Sequence, residues 1–352
     1  MPHKSRIVTL IKSQRSPYMI DFKELKYLDE EFADFRRKLN LLSSDAIDIP
    51  IKTLSIRYWY ESLRAGASLT IPSQLQEKFE PDAISRTEKG TIEFTKNKWS
   101  GYGRGDHRPQ KALLAKVELV APGSTRALDH PLWLALDITK TQILKGDEFL
   151  RRLTPEIQCL VLQPNDQLIA SANFSPFSKR RLDQILRKPN LDALACLTWL
   201  LRKAHANQDN NIELIFTALH NALIMLAMDL QSLNIALPLI RKFIDNILPL
   251  GLPPYLKQLM TPEDYLILSF ILNATAHHKL ARLKRPTSWK SRSSFMLDLL
   301  NGKYGFDMKF AMMVNLELVQ NINSIPQEVK DEFQQRDTNR MRAWRRLLYG
   351  AS

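Results

Sequence analysis

Glycine is scarce in this 352-residue chain, at 11 residues, and cysteine scarcer still, at two. β-Branched runs are few and short while leucine is frequent, a balance that favours helices over sheet. Cys159 and Cys196 stand in apolar surroundings. With no cysteine framework and no export signal, a reducing compartment is expected. A membrane span needs ~20 consecutive apolar residues. The longest apolar stretch, Leu214 to Leu230, is interrupted by His220, Asn221 and Asp229. Ile7 to Ile11, behind Lys4 and Arg6, is too short for the core of a signal peptide. The expectation is a cytoplasmic chain without membrane contact.

The usual marks of catalysis are missing as well. There is no His-Glu-x-x-His, no paired-cysteine spacing, no Gly-x-Ser-x-Gly and no phosphate-cradling Gly-Lys-Ser/Thr loop. His277 and His278 are adjacent and so point in different directions on a helix, which makes a shared metal awkward. Asp129 and His130 read best as the cap and turn before a short helix around Trp133. Glu263 and Asp264, behind Thr261-Pro262, read as an acidic first helical turn. No cofactor or metal is expected, and a binding protein is expected rather than an enzyme.

What is present is positive charge, and it is focused. The formal net charge is +13. Lys89 to Lys116 holds seven basic and two acidic residues, among them Lys96, Lys98, Arg104, Arg108 and Lys111. Lys279 to Arg292 holds six basic residues and no acidic one, including Arg282, Lys284, Arg285 and Lys290. Arg336 to Arg346 holds five arginines, with Arg340, Arg342 and Arg345 between those two, against one aspartate. These three windows contain the whole excess, as a phosphate-facing surface would.

Periodicity outlines a mostly α protein. Phe22, Leu25, Leu28, Phe32, Phe35 and Leu39 recur at helical spacing behind Asp21 and Glu24, which resemble a capping box. Leu54 to Arg64 predicts a second helix ending near Gly66, with Tyr58, Trp59 and Tyr60 as core anchors. Pro72 opens a short helix through Phe79. Thr91 to Tyr102 is expected to be helical, and Pro109 to start the next helix over Leu113, Leu114, Val117 and Val120. Leu194 to Ala204, Ile212 to Leu230 and Tyr265 to Leu283 are apolar on more than one face, as buried bundle helices are. Pro326 opens a terminal helix whose seam is Val329, Phe333, Met341, Trp344 and Leu348. Trp344 is expected to dock it while its arginines face a phosphate backbone or an acidic partner.

One short pattern carries a mechanism. Tyr102, Gly105 and Pro109 fall at the spacing of aromatic, turn glycine and helix-starting proline. Over about residues 71–120 the chain resembles the lambda-repressor/Cro-like (XRE-type) helix-turn-helix family. The resemblance implies a DNA-reading helix from Thr91 to Trp99, with Thr95, Lys96, Asn97 and Lys98 toward the major groove. The expected organisation is an N-terminal helical domain, 1–162, a linker or short strand, 163–178, and a larger C-terminal helical bundle, 179–352. The expected function is nucleic-acid binding, DNA first and RNA second. A helical scaffold or accessory subunit meeting an acidic protein partner is the alternative, and an enzyme with an unfamiliar helical site a third.

Overall fold

The structure is a computed structural model that describes residues 33–39, 48–86, 92–95, 98–162, 178–319 and 325–349. It is mostly helical, as the composition implied, with two small two-stranded ladders.

The N-terminal part is built around aromatic rings. Helix α1 (Ile51–Gly66) buries Trp59 and Tyr60, as expected, and ends where Ser68 takes a left-handed conformation. Helix α2 (Pro72–Phe79) starts at its proline, and the Gln74 side-chain oxygen reaches back to accept from the Thr70 and Ile71 amides. Trp59 stacks on Trp99 with centroids 5.8 Å apart, Phe79 stacks on Trp99 at 5.7 Å, and Tyr102 meets both indoles edge-on. Such pairs add about 0.5–1.5 kcal/mol beyond area burial. This small core ties α1 and α2 to α3 (Lys98–Arg104) and α4 (Lys111–Val120).

The helix expected over Thr91 to Tyr102 is a correction. Residues Ile92–Thr95 form strand β2, antiparallel to β1 (Ile84–Arg86), with Ile84 opposite Thr95 and Ser85 opposite Phe94. Ile92 and Phe94 alternate with Glu93 and Thr95, a period-two pattern that becomes decisive once a second strand lies beside it. Among its described residues the segment is helical from Lys98 onward. The turn chemistry behind it does match expectation. Gly105 has φ +78°, and a Cβ there would stand 2.6 Å from Thr53 Cγ2 and 2.9 Å from the Thr53 carbonyl oxygen. Pro109 is buried but lies two residues ahead of α4, which begins at Lys111.

The second, larger core takes in Leu39 and Leu54 and then α6 (Pro131–Leu136), which follows the single-turn helix α5 (Ser124–Leu128). It continues through α7 (Pro155–Val161), α8 (Lys179–Leu186), α9 (Leu191–Asn207) and α10 (Ile212–Ser232). Then come α11 (Ala236–Lys242), β3 (Leu256–Gln258), α12 (Pro262–Arg282) and α13 (Trp289–Leu300). Helix α14 (Phe306–Ala311), β4 (Leu316–Leu318, paired with β3) and α15 (Gln327–Tyr349) complete it. The three helices expected to be buried are α9, α10 and α12, and they form its centre. Of the N-terminal helix expected from Phe22 to Leu39, 33–39 is described; it is helical, and Phe35 stacks on Phe270 of α12 at 4.7 Å. Residues 163–177 of the expected linker lie outside the described residues, and the apolar cluster includes side chains on both sides of them.

Among the described residues one helix, α10, is long and apolar enough to cross a membrane. Its apolar window is 61% buried inside the protein, between α9 and α12. That burial is what a central bundle helix requires.

Two buried ionic centres join the parts. Arg202 of α9 donates to the carbonyl oxygens of Ala135, Asp137, Ile138 and Lys140 at and beyond the end of α6. Asp192 accepts from Arg126 at 2.6 Å and from the Thr154 amide at 3.2 Å, with His130 Nε2 at 3.5 Å. His130 Nδ1 meanwhile accepts from the Leu132 amide and caps α6, while Asp129 binds Arg108. The expected cap-and-turn role of Asp129 and His130 is therefore what the fold uses. Glu263 and Asp264 lie in the first turn of α12, as expected, and Thr261 and Asp264 also form a capping box there.

Candidate nucleic-acid interface

The N-terminal basic window is largely neutralised by its own fold. Thr95 belongs to β2, and Lys96 and Asn97 lie outside the described residues. Lys98 is half-buried at the start of α3, and its ammonium sits 2.6 Å from Glu80. Glu80 is itself buried and accepts a second bond from Trp99 Nε1 at 3.0 Å. Arg104 pairs with Asp106 at 2.7 Å, and its carbonyl oxygen accepts from Arg57 Nε. Arg108 donates to both oxygens of Asp129 at 2.7 Å. Lys111 stands exposed at the start of α4. Of the residues expected on a groove-entering helix, Thr95 is thus in a strand and Lys98 is internally paired.

The window around the α12–α13 corner is different. Arg282 is exposed in the last turn of α12. Lys284 has φ 53°, and both it and Arg285 are exposed in the turn between the helices. Lys290 is exposed in the first turn of α13. Lys284, Arg285 and Lys290 make no ion pair among the described residues. Arg292 is the exception, half-buried with its guanidinium carbon 5.6 Å over the Trp289 ring. Its positive charge opposes, without overcoming, the burial that pushes the Asp229 carboxyl above its ordinary range.

On α15 the arginines divide. Arg336 is half-buried, and burial lowers its guanidinium from the ordinary value despite the acidic Glu213 and Glu332 nearby. Arg340 pairs with Asp337 at 2.9 Å. Arg346 pairs with Asp307 of α14 at 3.0 Å. Arg342 and Arg345 are exposed. Trp344 packs on the large core as expected, but Met341, assigned to the seam, is exposed, and Ala343 takes the buried position.

The structure also brings together cations that the charge windows passed over. Residues 179–188 contain five basic residues and one acidic. Lys179, Arg180, Asp183, Gln184 and Arg187 line an open groove along α8. The Lys-Arg-Arg run before Leu182 is the signal in the sequence, and residues 179–188 carry as large an excess as Arg336 to Arg346. Among the described residues, no three of His, Cys, Asp and Glu converge as metal ligands.

Comparison with family models, with curated proteins and with solved structures finds no match for this chain.

Proposed function

We propose that the protein binds nucleic acid through phosphate contacts, duplex DNA first and RNA as the second substrate. The observation that carries this reading is the α12–α13 corner, where Lys284, Arg285 and Lys290 project into solvent in a window holding no acidic residue. Arg342 and Arg345 of α15 supply further free charge. Phosphate contacts anchor a protein without reading sequence. Base reading from residues 95–98 is not part of the proposal, because Thr95 ends a paired strand and Lys98 is held by the buried Glu80.

Anisotropy titrations with random duplex DNA, single-stranded DNA and RNA at two salt concentrations test it. Binding should weaken with a log–log slope of about −0.9 per phosphate neutralised on B-form DNA. A flat slope, or no binding at low salt, removes the reading. A scaffold that meets an acidic protein partner is favoured by a different feature, the outward face of α4. There Leu119 is 85% exposed and Val120 is 52% exposed, on the same helix as Lys111 and Lys116. Exposed apolar side chains of this kind mark protein contacts more than phosphate contacts.

A further inference from the structure

Helices α8 and α13 lie side by side, and three bonds fix their direction. Asn301, just past α13, donates to Asp183 at 3.2 Å. Arg187, just past α8, donates to Ser294 Oγ at 2.6 Å and stands 3.4 Å from Asp298. The pair is therefore antiparallel, with the end of α8 beside the middle of α13. Lys290 lies one turn before Ser294 and on the same helical face. Lys188 is exposed in the turn that ends α8, so it and Lys290 share one end of the pair with Arg285. Lys179 and Arg180, both exposed, mark the other end.

We propose that this helix pair is the track that holds the phosphodiester backbone of a duplex, and that it does so without reading bases. The inference rests on the nucleic-acid reading above and adds where, and in what manner, the polymer is held. The carboxylates among the residues that define the track are Asp183 and Asp298, of which Asp298 is paired with cations while Asp183 keeps its charge in the groove. Asp183 accepts from Asn301, and Asp298 has Arg187 at 3.4 Å and Lys303 at 2.7 Å. Against the exposed Lys179, Arg180, Lys188, Arg285 and Lys290 stands the single charge of Asp183, so the track stays strongly positive.

Length and shape agree with a backbone. From Lys179 to the level of Arg187 is roughly 12 Å of helix, and the turn from Ser294 to Lys290 adds roughly 6 Å. One strand of B-form DNA carries a phosphate about every 3.4 Å along the axis, so the track matches about five phosphates. Neither helix can enter a groove. Leu182, Ile185 and Leu186 hold α8, and Phe295, Met296, Leu297, Leu299 and Leu300 hold α13, against the large core. A helix buried along one side offers its outer cations to a passing strand and keeps base edges out of reach.

The test uses the full chain and a labelled random-sequence duplex, as DNA and as RNA, at two salt concentrations. In the triple variant Lys179→Gln/Arg180→Gln/Lys188→Gln, affinity at low salt should fall by about tenfold or more, and the salt slope should shrink by roughly 2–3. The double variant Lys179→Arg/Lys188→Arg should bind as the parent does, and two unrelated duplex sequences should bind alike. The DNA and RNA arms show which backbone is held. If the parent binds duplex and the triple variant binds equally well with the same slope, the track is wrong while the nucleic-acid reading stands. If the parent binds no nucleic acid at low salt, both fall. Tighter binding to poly-glutamate than to duplex overturns the track in favour of an acidic protein. Thermal melts accompany every titration, and should the triple variant lose its folded signal, Arg180→Gln and Lys188→Gln singly carry the same comparison.

Discussion

His220 makes the stability of this protein depend on acid in a way that can be calculated. It is fully enclosed on α10, with Nδ1 3.0 Å from the Tyr265 hydroxyl and Nε2 2.8 Å from the Met312 carbonyl oxygen. A carbonyl can only accept, so Nε2 carries the proton and Nδ1 accepts from Tyr265. The ring is thus neutral and saturated. Burial, with the positive Arg336 nearby, holds its pKa down to about 4, although the Met312 bond acts in the other direction. In the unfolded chain the same ring titrates near 6.5. Below that pH the unfolded state binds a proton that the folded state refuses, so stability is fully present above ~6.5 and is lost as pH falls toward ~4. Between about pH 7 and pH 4.5 this one group should remove about 2 kcal/mol. His220→Gln retains an amide donor and an acceptor but cannot titrate. The variant should be less stable at neutral pH yet lose about 2 kcal/mol less than the parent over that interval. Urea unfolding followed by circular dichroism at the two pH values measures both. Equal losses in parent and variant would refute the assignment of a buried neutral imidazole, whatever the absolute stabilities are.

Three further outcomes follow from named contacts. Arg202→Met should lower unfolding free energy by about 3 kcal/mol or more, because four carbonyl oxygens lose a charged donor; a cost under ~1 kcal/mol in denaturant titration would show that water replaces the guanidinium. Gly105→Ala should cost about 1–3 kcal/mol, since the left-handed backbone and the close Thr53 backbone oxygen both oppose a Cβ, and an unchanged melting temperature would contradict that geometry. Leu119→Ser should leave the melting temperature within the small range of ordinary surface changes, because this side chain is 85% exposed. A clear loss of stability in the isolated protein would mean that Leu119 is covered in solution.

The long helices were legible because their apolar residues repeat over many turns. α1, α9, α10 and α12 all follow from that repeat, and the acidic first turn of α12 from the four residues Thr261 to Asp264. The stretch from Ile92 to Thr95 was not legible. Four residues with two apolar side chains suit either a helical turn or a strand, and only the pairing with Ile84–Arg86 decides between them. The candidate interface divides in the same way. Sequence alone determined the total charge, its concentration in segments and the helical character of most of the chain, since these depend on composition and on neighbours a few residues away. Which cations remain free was decided by tertiary structure. Lys98 meets Glu80, Arg108 meets Asp129, Arg346 meets Asp307, and Arg187 meets Asp298 from 111 residues away. Charges answer to distance through space, over a screening length of about 10 Å, and separation along the chain says little about that distance until the helices are packed.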